Sequence, residues 1–285
     1  MKLLHISDLH FPTTVPIFSL RWKMFSGYFN YKLRRQKKYP KEILNALIDH
    51  IRSQSYDLLI ISGDLTNVSH EIEFQIAREI LEPLLDKRAF IIPGNHDRYI
   101  QSSITPMDLF LKYFEPFMGE SVSADKYIRI KKMSNICIVG LDSNYASGIG
   151  NASGRLQDEV LEETFAWLDK HKVSDYLLVC HHPLWNPPGQ EESMMHRMIN
   201  REDVIRKLKN KPPLAYFHGH KHSNFYKKPN AEIPFAILNS ASSTMIETER
   251  NKSGYHSFDI HSEKLIVKRY AYRDMTFKET DTIEY

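Results

Sequence analysis

Asp57-Leu58-Leu59-Ile60-Ile61-Ser62-Gly63-Asp64 is a continuous apolar run stopped by a glycine and closed by a carboxylate. Such a run reads as a strand buried on both faces, the habit of parallel sheets. It delivers Asp64 at the strand's C-terminal end, where the loops of an open α/β sheet converge and place ligand sites. Lys2–Ile6 does the same, ending in Ser7-Asp8; so does Ala89–Ile92, which Pro93-Gly94 turns into Asn95-His96-Asp97. Ile43, Leu44, Leu47, Ile48 and Ile51 recur at helical spacing and predict a helix over 41–53; a second is predicted from about 71 to 85. Strand, helix, strand, helix, strand favours parallel pairing through right-handed crossovers.

The second half repeats the logic. Ile136–Leu141 is a strand ending at Asp142-Ser143, 158–171 a helix, Tyr176–Cys180 a strand delivering His181, and Leu214–Phe217 a strand delivering His220 and His222. Phe235–Leu238, Gly254–Ile260 and Lys264–Tyr272 read as strands expected to finish the second sheet. With no internal repeat and no low-complexity linker, residues 1–285 are expected to form one domain.

Five short segments carry metal-binding side chains: Asp8-Leu9-His10, Gly63-Asp64, Gly94-Asn95-His96-Asp97, Cys180-His181-His182-Pro183 and Gly219-His220-Lys221-His222. Two divalent ions about 3.5–4 Å apart need about seven or eight oxygen and imidazole ligands, more than one loop supplies. Aspartate can bridge, histidine binds through one ring nitrogen, and an asparagine carbonyl adds a neutral oxygen. Singly each segment is a weak signal, and Gly-Asn-His-Asp is also a good turn. All five, in this order and after apolar strands, outweigh that bland reading.

In these residues the chain resembles the calcineurin-like metallophosphoesterases, whose pattern is D-x-H, G-D, G-N-H-D, a lone histidine after a strand, and G-H-x-H. From Lys2 to about Ile260 no ligand position is substituted. The resemblance implies an α/β fold, a four-layer α/β/β/α sandwich of two mixed sheets flanked by helices. It implies that Asp8, His10, Asp64 and His222 hold one ion and Asp64, Asn95, His181 and His220 the other, Asp64 bridging. Manganese and iron are the expected metals, with zinc next, because oxygen and imidazole ligands without thiolate discriminate weakly. Such ions share a hydroxide, bind phosphoryl oxygens, and let that hydroxide attack phosphorus in line with the leaving oxygen. His96 is expected to donate a hydrogen bond to the phosphoryl oxygen or a proton to the leaving alkoxide, and Asp97 to fix an imidazole by accepting its N–H. Asn95, His96 and His196 are the candidate substrate contacts, while Asp142 and Asn144 are weaker candidates for orienting an imidazole. Of the adjacent His181 and His182, similarity to the purple acid phosphatase pattern His-Ser-Pro-Leu-Tyr favours His181 as the ligand.

Asp142-Ser143-Asn144, Gly154-Arg155-Leu156 and Trp167-Leu168 are similar to the class III cyclic nucleotide phosphodiesterases. The expected substrate is therefore a cyclic nucleotide or another small or lipid-linked diester or pyrophosphate. Hydrolases of UDP-2,3-diacylglucosamine from enteric bacteria carry Gly-Asn-Arg-Asp, however, and here His96 takes the arginine position. A repair-type nuclease is one alternative; those enzymes usually add a capping domain, and about 60 residues follow His222. A non-catalytic scaffold is the other; such proteins lose ligands, and here none is lost.

With 42% hydrophobic and 26% charged residues the composition is that of a globular protein with a substantial core, and a net charge of +3 is too small to argue for nucleic acid. Cys137 and Cys180 both fall in apolar strands, so a reducing cytoplasm is expected rather than a disulfide framework. Asp8 comes too early to leave room for a cleavable signal peptide. Two segments exceed the minimal fold. Residues 11–39 hold seven Lys or Arg and no acidic residue, together with Phe18, Trp22, Phe25, Tyr28, Phe29 and Tyr31. They read either as packed helix or as an amphipathic lid lying peripherally on the inner face of an anionic membrane. Residues 185–198 contain Pro187-Pro188-Gly189, then Met194, Met195, His196 and Met198. Both segments leave ligand motifs, so both should rim the site.

Overall fold

The computed structural model describes residues 1–133, 136–249, 251–260 and 265–284. Its strands in chain order are β1 (Lys2–Ile6), β2 (Leu58–Ile61), β3 (Ala89–Ile91), β4 (Glu120–Ser121), β5 (Ile128–Lys132), β6 (Cys137–Leu141), β7 (Tyr176–Val179), β8 (Ala215–His218), β9 (Phe225–Lys227), β10 (Ala236–Asn239), β11 (Tyr255–Ile260), β12 (Leu265–Arg273) and β13 (Thr276–Glu284). The helices are α1 (Trp22–Asn30), α2 (Lys41–Ser53), α3 (Glu71–Leu81), α4 (Leu109–Phe114), α5 (Asp158–Lys170) and α6 (Arg201–Asn210).

Two mixed sheets result, ordered β13-β12-β11-β1-β2-β3 and β4-β5-β6-β7-β8-β10-β9. β1, β2 and β3 are parallel, as are β6, β7, β8 and β10, which is what their uninterrupted apolar sequences require. Alternation within each strand then separates the layers. Leu3, Leu58, Ile60, Phe90, Ile138, Leu177 and Phe217 fill the space between the sheets. Leu4, Leu59 and Ile61 turn outward onto Leu47 and Ile51 of α2 and Phe74 of α3. Val139, Leu178 and Tyr216 turn outward onto Leu161 and Leu168 of α5 and Leu208 of α6. This is the expected four-layer α/β/β/α sandwich.

Two expectations need correction, and part of a third falls outside the described residues. The tail does not all finish the second sheet: β10 joins it, but β11, β12 and β13 extend the first sheet antiparallel from β1. Pairing partners depend on contacts far apart in sequence, which apolar patterning does not encode. Lys264, read as the start of a strand, lies outside the described residues. The second helix ends at Leu81 and continues only as a tight turn over Glu82–Leu84, because Pro83 has no N–H to give. Among the described residues no helix is long and apolar enough to cross a membrane.

Candidate metal centre

The loops leaving β1 and β2 are zipped together. Asp8 N–H donates to the Gly63 carbonyl at 2.9 Å, His10 N–H to Asp64 at 3.0 Å, and Phe11 N–H to Leu65 at 2.9 Å. Five candidate ligands have left-handed backbones: Asp8 (φ 51°), His10 (42°), Asp64 (57°), His220 (73°) and His222 (48°). That conformation costs about 1–2 kcal/mol at a residue with a Cβ and persists only where neighbours fix it. For the loop after β1 the fixing comes from the segment after β10. Ser240 Oγ donates to the His5 carbonyl at 2.8 Å, Ser242 Oγ to Asp8 at 2.6 Å, and Thr244 Oγ1 to Leu9 at 2.6 Å. Sequence reasoning missed these residues; the signal was the hydroxyl-rich run Ser240-Ala241-Ser242-Ser243-Thr244 directly behind an apolar strand. The motif glycines have a steric reason: a Cβ on Gly219 would overlap the Ser7 hydroxyl and the Asp8 carboxylate.

One donor atom from each of Asp8, His10, Asp64 and His222 falls within 4.8 Å of the others. His10 Nδ1 lies 3.2 Å from the Thr66 carbonyl and donates there, so Nε2 keeps a lone pair aimed at His222 Nε2, 3.3 Å away. His222 Nε2 is in turn 3.2 Å from Asp8 Oδ1. A parallel arrangement faces the other side of Asp64. His181 Nδ1 donates to the Ser62 carbonyl at 2.7 Å, leaving Nε2 3.2 Å from Asn95 Oδ1 and 3.4 Å from Asp64 Oδ2. His220 Nε2 donates to the His196 carbonyl at 2.7 Å, leaving Nδ1 2.9 Å from Asn95 Oδ1. With tautomers assigned from these partners, acceptors converge on acceptors, which a cation between them resolves. The electrostatics make the same demand. Burial works against charge on His181, yet Asp64 holds its pKa up to about 10; burial works against Asp64 too, yet His181 and His96 keep its carboxyl well below the usual range. Asp8, His10, Asp64 and His222 form a donor set that fits a divalent ion, and Asn95, His181 and His220 gather beside the same Asp64 carboxylate.

His96 has its backbone N–H on Asp64 Oδ1 at 2.8 Å and its Nδ1 on the Asn67 carbonyl at 2.6 Å. Its ring lies parallel to Tyr99 at 5.9 Å and lines the cleft. Among the described residues Asp97 does not orient an imidazole, contrary to expectation. Its carboxylate accepts from the backbone amides of Gly94, Leu65 and Thr66, clamping the Asp64 and Asn95 loops together. Burial and the Asp64 charge push its pKa up to about 7 against those three amides. Asp142 is also taken, by Arg98 at 3.0 Å and by Asn144, so neither orients an imidazole ligand among the described contacts. His182 points away, onto Ser143 Oγ at 2.8 Å and the Ala152 carbonyl at 2.9 Å.

The cleft has a volume of about 580 Å³ and is lined by Asp64, Asn95, His96, His220 and His222 together with the 191–196 loop. His196 lines it while its ring bonds Ser193. Both extra segments reach the rim, as expected: Asn30 lines the cleft, and the Tyr39 hydroxyl lies 3.4 Å from His222 Nδ1. Sequence reasoning missed Glu192. Its side chain is 5% exposed, with Oε1 3.4 Å from His220 Nε2, and burial raises its pKa. The signal available was a carboxylate pair, Glu191-Glu192, on a loop expected at the rim.

The sequence profile of the calcineurin-like phosphoesterases matches residues 1–224. The glycerophosphodiester phosphodiesterase GpdQ of Enterobacter lignolyticus is 28% identical over 235 residues, 78% of this chain and 71% of that protein. A protein named "Probable cyclic nucleotide phosphodiesterase" in Synechococcus sp. is 31% identical over 141 residues, 48% of this chain and 47% of the other. Across the curated relatives the aligned part spans 57%, 71% and 47% of their length, about half to seven-tenths. A solved dimetal phosphatase from Danio rerio shares the fold, with a TM-score of 0.65 at 14% identity, covering 99% of this chain and 98% of that one.

Proposed function

Because the chain belongs to the calcineurin-like phosphoesterase family, we propose that it is a two-metal phosphodiesterase acting on a monoanionic diester. The observation that carries this reading is the convergence of seven donor side chains on the two sides of Asp64. Asp8, His10 and His222 lie on one side, Asn95, His181 and His220 on the other, with ring lone pairs and oxygens facing one another. When bound, the metal pair supplies Lewis acidity, lowering the pKa of water and neutralising phosphoryl charge.

The chain's own residues do the rest. Carbonyls of Thr66, Ser62 and His196 fix three imidazoles in the ligating tautomer. His96, held through Nδ1 by Asn67 and flanked by Tyr99, lines the cleft and is the group assigned to protonate the leaving alkoxide. The rim argues for a diester over a monoester. Among the described lining residues there is one lysine, Lys221, and no arginine, while Glu191 and Glu192 add negative charge. A dianionic monoester favours Arg-rich recognition; a monoanionic diester tolerates a carboxylate rim. The glycerophosphodiester phosphodiesterase among the relatives supports the same class.

The test is a substrate panel with manganese-loaded protein: bis-p-nitrophenyl phosphate, a glycerophosphodiester and cyclic AMP against p-nitrophenyl phosphate, single-stranded DNA and a UDP-linked lipid. The expected result is a kcat/KM for at least one small diester at least about tenfold above that for the monoester, a difference of about 1.4 kcal/mol. A preference for the monoester overturns the reading, and an inactive protein that takes up no manganese supports a scaffold.

A further inference from the structure

Segment 16–38 has two opposed faces. Inward, Met24, Tyr28 and Tyr31 pack with Val15, Val68 and Ile100 in a small core of their own. Outward, Trp22, Phe25, Phe29 and Leu33 follow at spacings of three, four and four, one continuous stripe along α1 and the turn after it. Ile17 and Phe18 extend the stripe on the preceding loop. These are not grazing exposures: Phe18 is 94% exposed, Trp22 84% and Leu33 73%. A groove of about 480 Å³ runs between that loop and α1. A soluble surface rarely leaves so many large apolar side chains together in water unless something covers them.

Charge selects the cover. Arg21, Lys37 and Lys38 are exposed around the stripe, Lys32 lies over the Tyr28 ring, and residues 11–41 contain no carboxylate. A protein partner or a second copy would have to bring its own acidic rim without finding a single acidic residue here. An anionic bilayer matches both features at once, hydrocarbon for the stripe and lipid phosphates for the cations. Tryptophan and lysine, with apolar bodies and polar tips, suit that boundary.

We propose that segment 16–38 docks the protein on an anionic lipid surface through Phe18, Trp22, Phe25, Phe29 and Leu33. The segment packs directly against the cleft. Gly27 lets α1 press on Tyr99, where a Cβ would meet the hydroxyl at 2.8 Å, and Tyr99 stacks on His96. Lys23 Nζ donates to the Tyr99 and Ser147 carbonyls at 2.5 Å each, pinning the helix to the rim. Docking thus sets the cleft beside the headgroups; that headgroup diesters are then the substrate rests on the phosphodiesterase reading, whereas docking itself does not.

Co-sedimentation of the full chain with vesicles tests docking without any activity measurement. One set is phosphatidylcholine with phosphatidylglycerol and the other phosphatidylcholine alone. Binding is expected on the anionic vesicles at low salt, with a blue shift of Trp22 emission, and weaker by at least about tenfold once salt shortens the Debye length to about 3 Å. The double variant Phe18→Ser, Trp22→Ser should lose at least about tenfold in partitioning, because two exposed rings no longer enter the interface. Both sites are surface positions, so the circular dichroism spectrum and hydrolysis of bis-p-nitrophenyl phosphate should be unchanged. Parent protein that stays in solution with anionic vesicles overturns the proposal, as does a double variant that binds as the parent does. Self-association abolished by the same substitutions, without vesicle binding, overturns it in favour of a second copy of the chain.

Discussion

The ligand loops and segment 16–38 are neighbours that break the burial rule in opposite directions. In the loops, Asp8, His10 and Asp64 are fully buried on left-handed backbone, and carbonyls, hydroxyls and amides of the chain itself fix the ligand loops. In the segment, large apolar groups stand in water on α1 and the turns flanking it, while the opposite face is packed. In the proposed reading a cation completes the first arrangement and a lipid surface the second. Departures from ordinary patterning concentrate where a protein meets something outside itself. The pair also shows that such a departure is tolerated only beside a region that obeys the rules.

The contrast yields tests of decreasing size. His96→Ala should leave metal content intact and lower turnover by about 10²–10⁴-fold on a diester with an alkyl alcohol leaving group. The loss should be smaller for bis-p-nitrophenyl phosphate, whose leaving group scarcely needs a proton. Equal losses on both would mean that His96 stabilises phosphoryl charge instead. On the segment, Tyr28→Ala should cost about 3–5 kcal/mol in denaturant unfolding, and Trp22→Ser no more than about 0.5 kcal/mol. Similar costs at the two positions would erase the distinction between its faces.

A smaller effect separates buried histidines that serve structure from those that serve the site. His5 and His256 are register partners across β1 and β11; burial holds His256 down to about 3 and His5 well below its ordinary value. The unfolded chain takes up a proton at His256 below about pH 6.5 and the folded chain does not until about pH 3, with His5 shifted in the same direction. Stability is therefore full above pH 6.5 and falls as the pH drops towards 3. His256→Phe should reduce the stability lost between pH 7 and pH 5.5 by about 1 kcal/mol, read from urea midpoints at constant slope. An unchanged pH dependence would assign the acid sensitivity to other groups.

Much of this was legible in the sequence. The helix over 41–53 is found with those bounds, and the strands bearing ligands end within a residue or two of where their apolar runs stop. Covering on both faces makes such runs unambiguous. α6 was not read because only Val204 and Leu208 of its ten residues are buried, too sparse a stripe, and α4 because six residues give periodicity little room. At the site, residue type and order marked the five segments with metal-binding side chains, and the ligand set followed from the family resemblance. The side chains that hold the loops were not marked: Asp97 looked like part of the chemistry because it adjoins His96, and the hydroxyls of Ser242 and Thr244 serve carbonyls more than 230 positions away. A partner that distant leaves no local pattern.

The proposed function requires that Asp64 join two metal sites. Elemental analysis of protein loaded with manganese and freed of excess ion measures this directly, for the parent, Asp8→Ala and Asp64→Ala. The prediction is about two ions per chain in the parent, about one in Asp8→Ala, and nearly none in Asp64→Ala, because that carboxylate faces both donor sets. A parent that binds a single ion, or an Asp64→Ala variant that keeps two, would contradict it.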